Sequence, residues 1–241
     1  MPGLVLSKIT PGLLAKTLSS FPDGLVVVTG SAGKSTTTKM LVSIVRAHGK
    51  TVFTNPSTAN IAQGFFSSII ERSNIQGKIS GDVAILEMDE GHAAEITKRI
   101  KPRQVTILNV LDDQLDRFVD PALVREKLAD VAKRSTEALV LNADDQNVLI
   151  IDSEAKHSKT TWFGIAEQMI SATSHGLGNA KTYLSDIARP VVQTEILDQT
   201  GGKTFARVGD EQVEFNLPNR GIHFALDAAA ALESARKYLG K

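Results

Sequence analysis

One stretch restricts the possible folds more than any other. Leu25-Val26-Val27-Val28-Thr29 is a short run rich in β-branched residues. Gly30-Ser31-Ala32-Gly33-Lys34-Ser35 follows at once, and Thr36-Thr37-Thr38-Lys39-Met40-Leu41 continues in a helix-compatible composition. Strand, glycine loop and helix, in that order, form the layout of a phosphate-binding loop. Gly30 and Gly33 let the backbone curl so that its N–H groups turn inward as an anion-binding nest. A helix starting near Lys34 adds its unsatisfied N–H groups and the positive end of its dipole. Lys34 can then charge-pair with the β- and γ-phosphates, and the Ser35 hydroxyl can ligate Mg²⁺. Ser31, Ala32 and Thr36 complete the candidate nucleotide contacts. The general pattern G-x-x-x-x-G-K-S/T asks for a further glycine where Val28 stands. The alternative reading is a glycine-rich turn between a strand and a helix.

The rest of the chain suits such a loop. Met40, Leu41, Ile44 and Val45 share one helical face, which ends at His48-Gly49. Strands are expected at Thr51–Thr54, Asp82–Glu87, Gln104–Leu108 and Ala138–Leu141, with helices at Ile61–Arg72, Ala93–Ile100 and Val124–Arg134. This alternation predicts a mostly parallel sheet covered by helices on both faces, with ligands bound off the carboxyl ends of its strands. The lead-in, residues 1–24, holds a short helix with Thr10 as N-cap, Pro11 at the first helical position, and Leu13, Leu14 and Leu18 at helical spacing. Over residues 165–217 the pattern changes to short alternating stretches, expected as antiparallel strands joined by hairpins. An alanine-rich helix, Ile222 to Leu239, closes the chain.

The 27 basic and 27 acidic residues balance, so a general binder of nucleic acid or membrane surface is not expected. The absence of cysteine excludes disulfides and thiolate metal sites. No apolar run is long enough to span a membrane, and Met1-Pro2-Gly3-Leu4 lacks the blocks of a secretion signal. A soluble cytoplasmic protein is the expectation.

A second set of residues belongs with the loop. Glu87 ends an apolar strand, where a Walker-B-like carboxylate holds Mg²⁺; the alternative is a solvated loop carboxylate. The loop itself, T-G-S-A-G-K-S-T, resembles the T-G-T-N-G-K-T-T of the Mur ligase family. Asn109-Val110-Leu111-Asp112-Asp113-Gln114-Leu115-Asp116 resembles its T-N-I/L-x-x-D-H-L-D segment, with Gln114 in place of a Mg²⁺-ligating histidine. The sequence D-Q-L-D-R, together with Leu86-Glu87-Met88-Asp89-Glu90, Leu139-Val140-Leu141-Asn142-Ala143-Asp144-Asp145 and the lead-in, resembles the MurT-type subunit of lipid II isoglutaminyl synthase. Near the closing helix, Gly221-Ile222-His223 matches the family pattern G-x-H, and Asp227 stands where an adenine-contacting asparagine is expected. His223 alone also reads as a packed helix-start residue. The zinc ribbon carried by many MurT-type proteins needs cysteines and is excluded. Some family members carbamylate a lysine to hold a second Mg²⁺; Lys127 fits that spacing poorly and reads better as an exposed helix lysine.

The resemblance implies the central, ATP-binding domain of a Mur ligase over residues 1–241, with the family's C-terminal domain missing after Lys241. It implies ATP and Mg²⁺ as cofactors, with Lys34 and Glu87 catalytic. Gly30, Ser31, Ala32, Gly33, Lys34, Ser35, Thr36, Asn109, His223 and Asp227 would contact nucleotide, and Ser35, Glu87 and Gln114 would hold metal. The implied reaction is amide formation through an acyl phosphate on the D-glutamate of the lipid II stem peptide. Its ammonia would come from a class I glutamine amidotransferase partner. Two alternatives stay open: another Mur ligase, such as a folylpolyglutamate or peptidoglycan amino-acid ligase, and a nucleotide-binding module inactive without its C-terminal domain.

Overall fold

The computed structural model describes residues 12–55, 72–74, 78–111, 121–171, 187–219 and 221–241. Thr10, Pro11, nearly all of the expected Ile61–Arg72 helix and the whole Asp112–Arg117 segment, Gln114 included, lie outside the described residues.

The chain orders its elements as α1 (Leu13–Leu18), β1 (Leu25–Thr29), α2 (Lys34–Ala47), β2 (Val52–Phe53), β3 (Val83–Glu87), α3 (Glu90–Thr97), β4 (Gln104–Ile107), α4 (Pro121–Lys133) and β5 (Ala138–Asn142). It continues with α5 (Gln146–Ala155), β6 (Thr160–Ile165), α6 (Glu167–Ser171), β7 (Thr194–Thr200), β8 (Lys203–Val208), β9 (Glu211–Phe215) and α7 (Ile222–Leu239). The nine strands among the described residues form one sheet, ordered β2-β3-β1-β4-β5-β6-β7-β8-β9. From β2 through β7 every pairing is parallel. The β7–β8 and β8–β9 pairings are antiparallel. The β-rich stretch is therefore not a separate antiparallel unit. Its first strand joins β6 in parallel and carries the hairpin strands onto the same sheet edge.

Alternation along each strand makes two cores, one per face. Leu25 and Val27 point to the face covered by α1, α3, α4 and α5, where they meet Leu18, Ile96, Leu128 and Val148. Val26 and Val28 point to the face covered by α2 and α7, where they meet Leu41, Val45, Ala229 and Ala230. The central strands β1, β3 and β5 are buried throughout, as a doubly covered parallel sheet requires. Alanines along α7 let it approach α2 and the sheet closely. Polar contacts fix its register: the Gln104 amide donates to the Ser234 carbonyl at 3.0 Å, and Thr106 and Ser234 hydroxyls pair at 2.8 Å.

Several boundaries differ from expectation for local reasons. α1 starts at Leu13 with Gly12 as its N-cap, not Thr10. α3 starts at Glu90 because Asp89 takes the extended N-cap conformation. α5 and β6 lie where the pattern predicts no element. The helix is started by Asp145, whose carboxylate accepts the Val148 N–H at 3.1 Å. Gly49, at φ 81°, follows α2 in the left-handed conformation expected of a helix terminator.

Candidate active site

Because β1 to β7 are parallel, their carboxyl ends share one edge. β1 lies between β3 and β4, so the chain leaves it in one direction to β2 and later passes to its other side. Ligands of open α/β sheets bind at such a switch point. The loop Gly30–Gly33 sits there, joining β1 to α2.

The glycines are required. Gly30 has φ 131° and Gly33 has φ 82°, regions that side chains disfavour. A Cβ on Gly30 would stand 3.0 Å from both the N and O of Asn109, and one on Gly33 would collide with the Asp227 carboxylate. The first intrahelical bond of α2 runs from the Thr37 N–H to the Gly33 carbonyl at 2.9 Å. The N–H groups of Lys34, Ser35 and Thr36 therefore precede the helical ladder and form the anion-facing end of the dipole.

Asn109 holds the loop's shape. Its side chain accepts from the Ala32 N–H at 2.8 Å and donates to the Ala32 carbonyl at 3.1 Å, while its own carbonyl accepts from the Ser31 N–H at 3.0 Å. The Ser31 hydroxyl accepts from the Leu111 N–H at 3.1 Å and donates to Glu90 at 3.4 Å. Ser31, Ala32 and Asn109 thus act on each other. The N–H groups left for an anion come from the helix start.

Lys34 is 13 % exposed and Nζ donates to the carbonyls of Gly30 and Ser31 at 2.6 and 3.2 Å. Asp89 lies 3.6 Å from the same ammonium. Glu87, paired in register with Val28, is 2 % exposed. Burial pushes its carboxyl above the usual range, while the facing Ser35 hydroxyl and the charges of Lys34 and Lys39 act the other way. Asn55 locks its backbone, accepting from the Glu87 N–H at 3.1 Å and donating to its carbonyl at 3.2 Å. Ser35, Asn55 and Glu87 line a cavity of about 450 Å³ together with Lys39 and Arg46. Asn55, just past β2, belongs to the polar edge expected at the carboxyl ends of the strands, although no motif gives it a role.

The Ser35–Glu87 pair suits a hard cation such as Mg²⁺: both donors are oxygen, and a buried carboxylate gains from a neighbouring positive charge. Among the described residues no cluster of three His, Cys, Asp or Glu side chains could hold a metal, so these two are the protein donors found here.

At the far side of the loop, Asp227 comes from the second turn of α7. Burial raises its carboxyl to about 7, and the neighbouring Thr37 hydroxyl works against that shift. His223 is exposed at the start of α7, and Lys127 is half-buried on α4. The Asn142-Ala143-Asp144-Asp145 motif is structural. Asn142 donates to the Leu108 carbonyl at 2.8 Å, and Asp145 accepts from the Val110 N–H at 3.1 Å, steadying the segment that carries Asn109. Asp144, fully buried, accepts from Arg189 at 2.8 Å and from the Ile165 N–H at 2.7 Å, tying β6 to the approach of β7.

Fold and site define the class, an α/β domain with a phosphate loop at the switch point of its sheet. The chain belongs to the Mur ligase family, whose middle domain matches residues 28–235. It is 30% identical over 145 residues to the lipid II isoglutaminyl synthase subunit MurT of Staphylococcus aureus, an alignment covering 60% of this chain and 32% of that protein. It is 26% identical over 226 residues to the UDP-N-acetylmuramoylalanine–D-glutamate ligase of Myxococcus xanthus, covering 93% of this chain and 43% of the relative. Its fold matches MurF ligase from Thermotoga maritima, solved with ADP, at TM-score 0.70 and 21% identity, over 100% of this chain and 50% of that one. The chain thus spans about a third to a half of the proteins it matches. Among the described residues no helix is long and apolar enough to cross a membrane.

Proposed function

We propose that this chain is the ATP-binding part of an amide-forming ligase that works through an acyl phosphate. The observation that carries the reading is the convergence of Lys34, the α2 N-terminus, Ser35 and buried Glu87 on one side of the loop. Lys34 and the N–H groups of residues 34–36 would neutralise charge on the transferring phosphoryl group. Ser35 and Glu87 would hold Mg²⁺, which would supply charge neutralisation on the nucleotide phosphates. A substrate carboxylate oxygen attacks the γ-phosphorus and ADP leaves. A nitrogen nucleophile then attacks the acyl carbon, phosphate leaves, and the nitrogen loses a proton.

The MurT relatives favour a particular acceptor and donor: the α-carboxyl of D-glutamate in the lipid II stem peptide, amidated by ammonia from a glutamine amidotransferase subunit in the cytoplasm. A lipid-linked acceptor would be met at the membrane surface by a chain that has no need to enter it. Two measurements test this. Mg²⁺-dependent ATP binding should weaken sharply in Lys34→Ala. The full-length subunit with its partner should amidate lipid II in an ATP- and glutamine-dependent way; no product would sink the acceptor assignment. The alignment with D-glutamate ligases over nearly the whole chain supports a second reading, a Mur ligase using a free amino acid, which activity without a glutaminase would favour.

A further inference from the structure

The acidic turn after β3 makes contacts that the reading above does not use. Asp89 occupies the N-cap position of α3 in extended conformation, yet its side chain caps none of the helix N–H groups. It faces the phosphate loop, with Oδ1 3.6 Å from Lys34 Nζ, in a pair whose side chains are 13 % and 18 % exposed. Next to it Glu90, 4 % exposed, accepts from the Ser31 hydroxyl, and the Met88 N–H is fixed to the Val28 carbonyl at 3.0 Å. The turn is therefore anchored to β1 on one side and to the loop on the other, which holds the Asp89 carboxylate beside Lys34.

We propose that Asp89 sets the nucleotide affinity of the loop by competing with phosphate for the Lys34 ammonium. This rests on the phosphate-binding reading above. The competition follows from charge and reach. Lys34 Nζ has three N–H donors, and the carbonyls of Gly30 and Ser31 take up two at 2.6 and 3.2 Å. The remaining donor points toward one anion at a time. A phosphate in the nest must either displace Asp89 from the ammonium or share the cation with it, leaving two like charges a few ångströms apart in a half-buried setting. Either route weakens binding relative to a loop in which position 89 is neutral. A phosphate site tuned in this way releases its nucleotide more readily, which favours turnover over tight binding.

The test is binding of Mg²⁺–ADP and of metal-free ADP to the wild-type chain, Asp89→Asn, Asp89→Ser, Lys34→Met and the double variant Lys34→Met/Asp89→Asn. Thermal midpoints confirm that each is folded, and serine preserves an N-cap oxygen without charge. The expected result is a three- to tenfold tighter Kd for both neutral variants, with and without Mg²⁺. In the Lys34→Met background the gain should fall to less than half of that in the log of the ratio, because the contested cation is gone. Unchanged or weaker binding in the neutral variants, or an equal gain in both backgrounds, overturns the proposal. Weaker binding seen only with Mg²⁺ also overturns it, since it would make Asp89 a metal-holding group. If the wild-type chain binds neither form of ADP, the phosphate-loop reading itself fails; binding lost in Lys34→Met but indifferent to position 89 sinks this inference alone.

Discussion

The carboxylate of Asp227 lies against Gly33, filling the space where any other residue would carry its Cβ. Gly33 is also the N-cap of α2, held at φ 82° and ψ −9°. The closing helix and the phosphate loop are thus packed directly on each other.

Gly33→Ala should break that contact in two ways. The left-handed backbone costs about 1–2 kcal/mol for an L-residue, and the new methyl collides with Asp227. The expected outcome is a drop in unfolding free energy of roughly 2–4 kcal/mol by urea titration, with loss of nucleotide binding. The double variant Gly33→Ala/Asp227→Ala, which removes the colliding carboxylate, should recover part of the stability. An unchanged urea midpoint in the single variant would contradict the packing described.

Asp227 predicts a pH dependence. Its carboxyl moves from 3.8 to about 7 through burial, so the folded chain holds a proton that the unfolded chain has lost. The stability this proton confers is complete below about pH 4 and is lost as pH rises through about 7. Asp227→Asn, which stays neutral, should therefore gain on the wild type between pH 5 and pH 8. The shift bounds the effect at about 4 kcal/mol, and partial exposure reduces the expected difference to about 1–3 kcal/mol. Thermal midpoints of both proteins in matched buffers check this; parallel curves across the range would refute it.

The loop was legible in the sequence because its chemistry is local. Two glycines, a lysine and a serine at fixed spacing between a β-branched run and a helix leave few other solutions, and Gly30 and Gly33 adopt the positive φ values they were expected to need. The sheet was legible through its alternation of apolar strands and amphipathic helices. Less legible were roles that depend on which strands become neighbours. Asn109 was read as a nucleotide contact. In the fold, β4 lies beside β1, and Asn109 clamps Ala32, a contact the motif alone does not reveal. Asn55 reaches Glu87 because β2 pairs with β3. The hairpin strands pair antiparallel as expected, β7 with β8 and β8 with β9; alternation reports one exposed face and does not reveal that the other edge of β7 pairs with β6 in parallel.

Glu87→Gln separates structure from chemistry at the buried end of β3. Burial disfavours the charged carboxylate, and glutamine has nearly the same shape without the charge. The variant should fold with an equal or higher thermal midpoint. If Glu87 and Ser35 hold Mg²⁺, it should also lose most of the enhancement that Mg²⁺ gives to ATP binding, on the order of tenfold, equivalent to about 1.4 kcal/mol. Retained Mg²⁺ enhancement would remove Glu87 from the metal site and leave it a structural carboxylate.

Glu233 tests how α7 is anchored. Its side chain is fully buried and accepts from the Thr161 hydroxyl, from the Thr194 hydroxyl at 2.7 Å, and from Arg236 at 2.7 and 2.9 Å. These bonds pin the closing helix to β6 and β7, one and a half turns beyond the point where Asp227 meets the loop. Glu233→Ala removes the acceptor and leaves two hydroxyls and a half-buried guanidinium without it. Breaking one side of a buried charge pair costs about 3–5 kcal/mol. The urea midpoint should fall accordingly. Nucleotide affinity at low denaturant should fall only if α7 also positions the loop. A lower midpoint with unchanged affinity would confine Glu233 to the fold. A parallel loss of both would show that the contact between Asp227 and Gly33 transmits the position of α7 to the phosphate site.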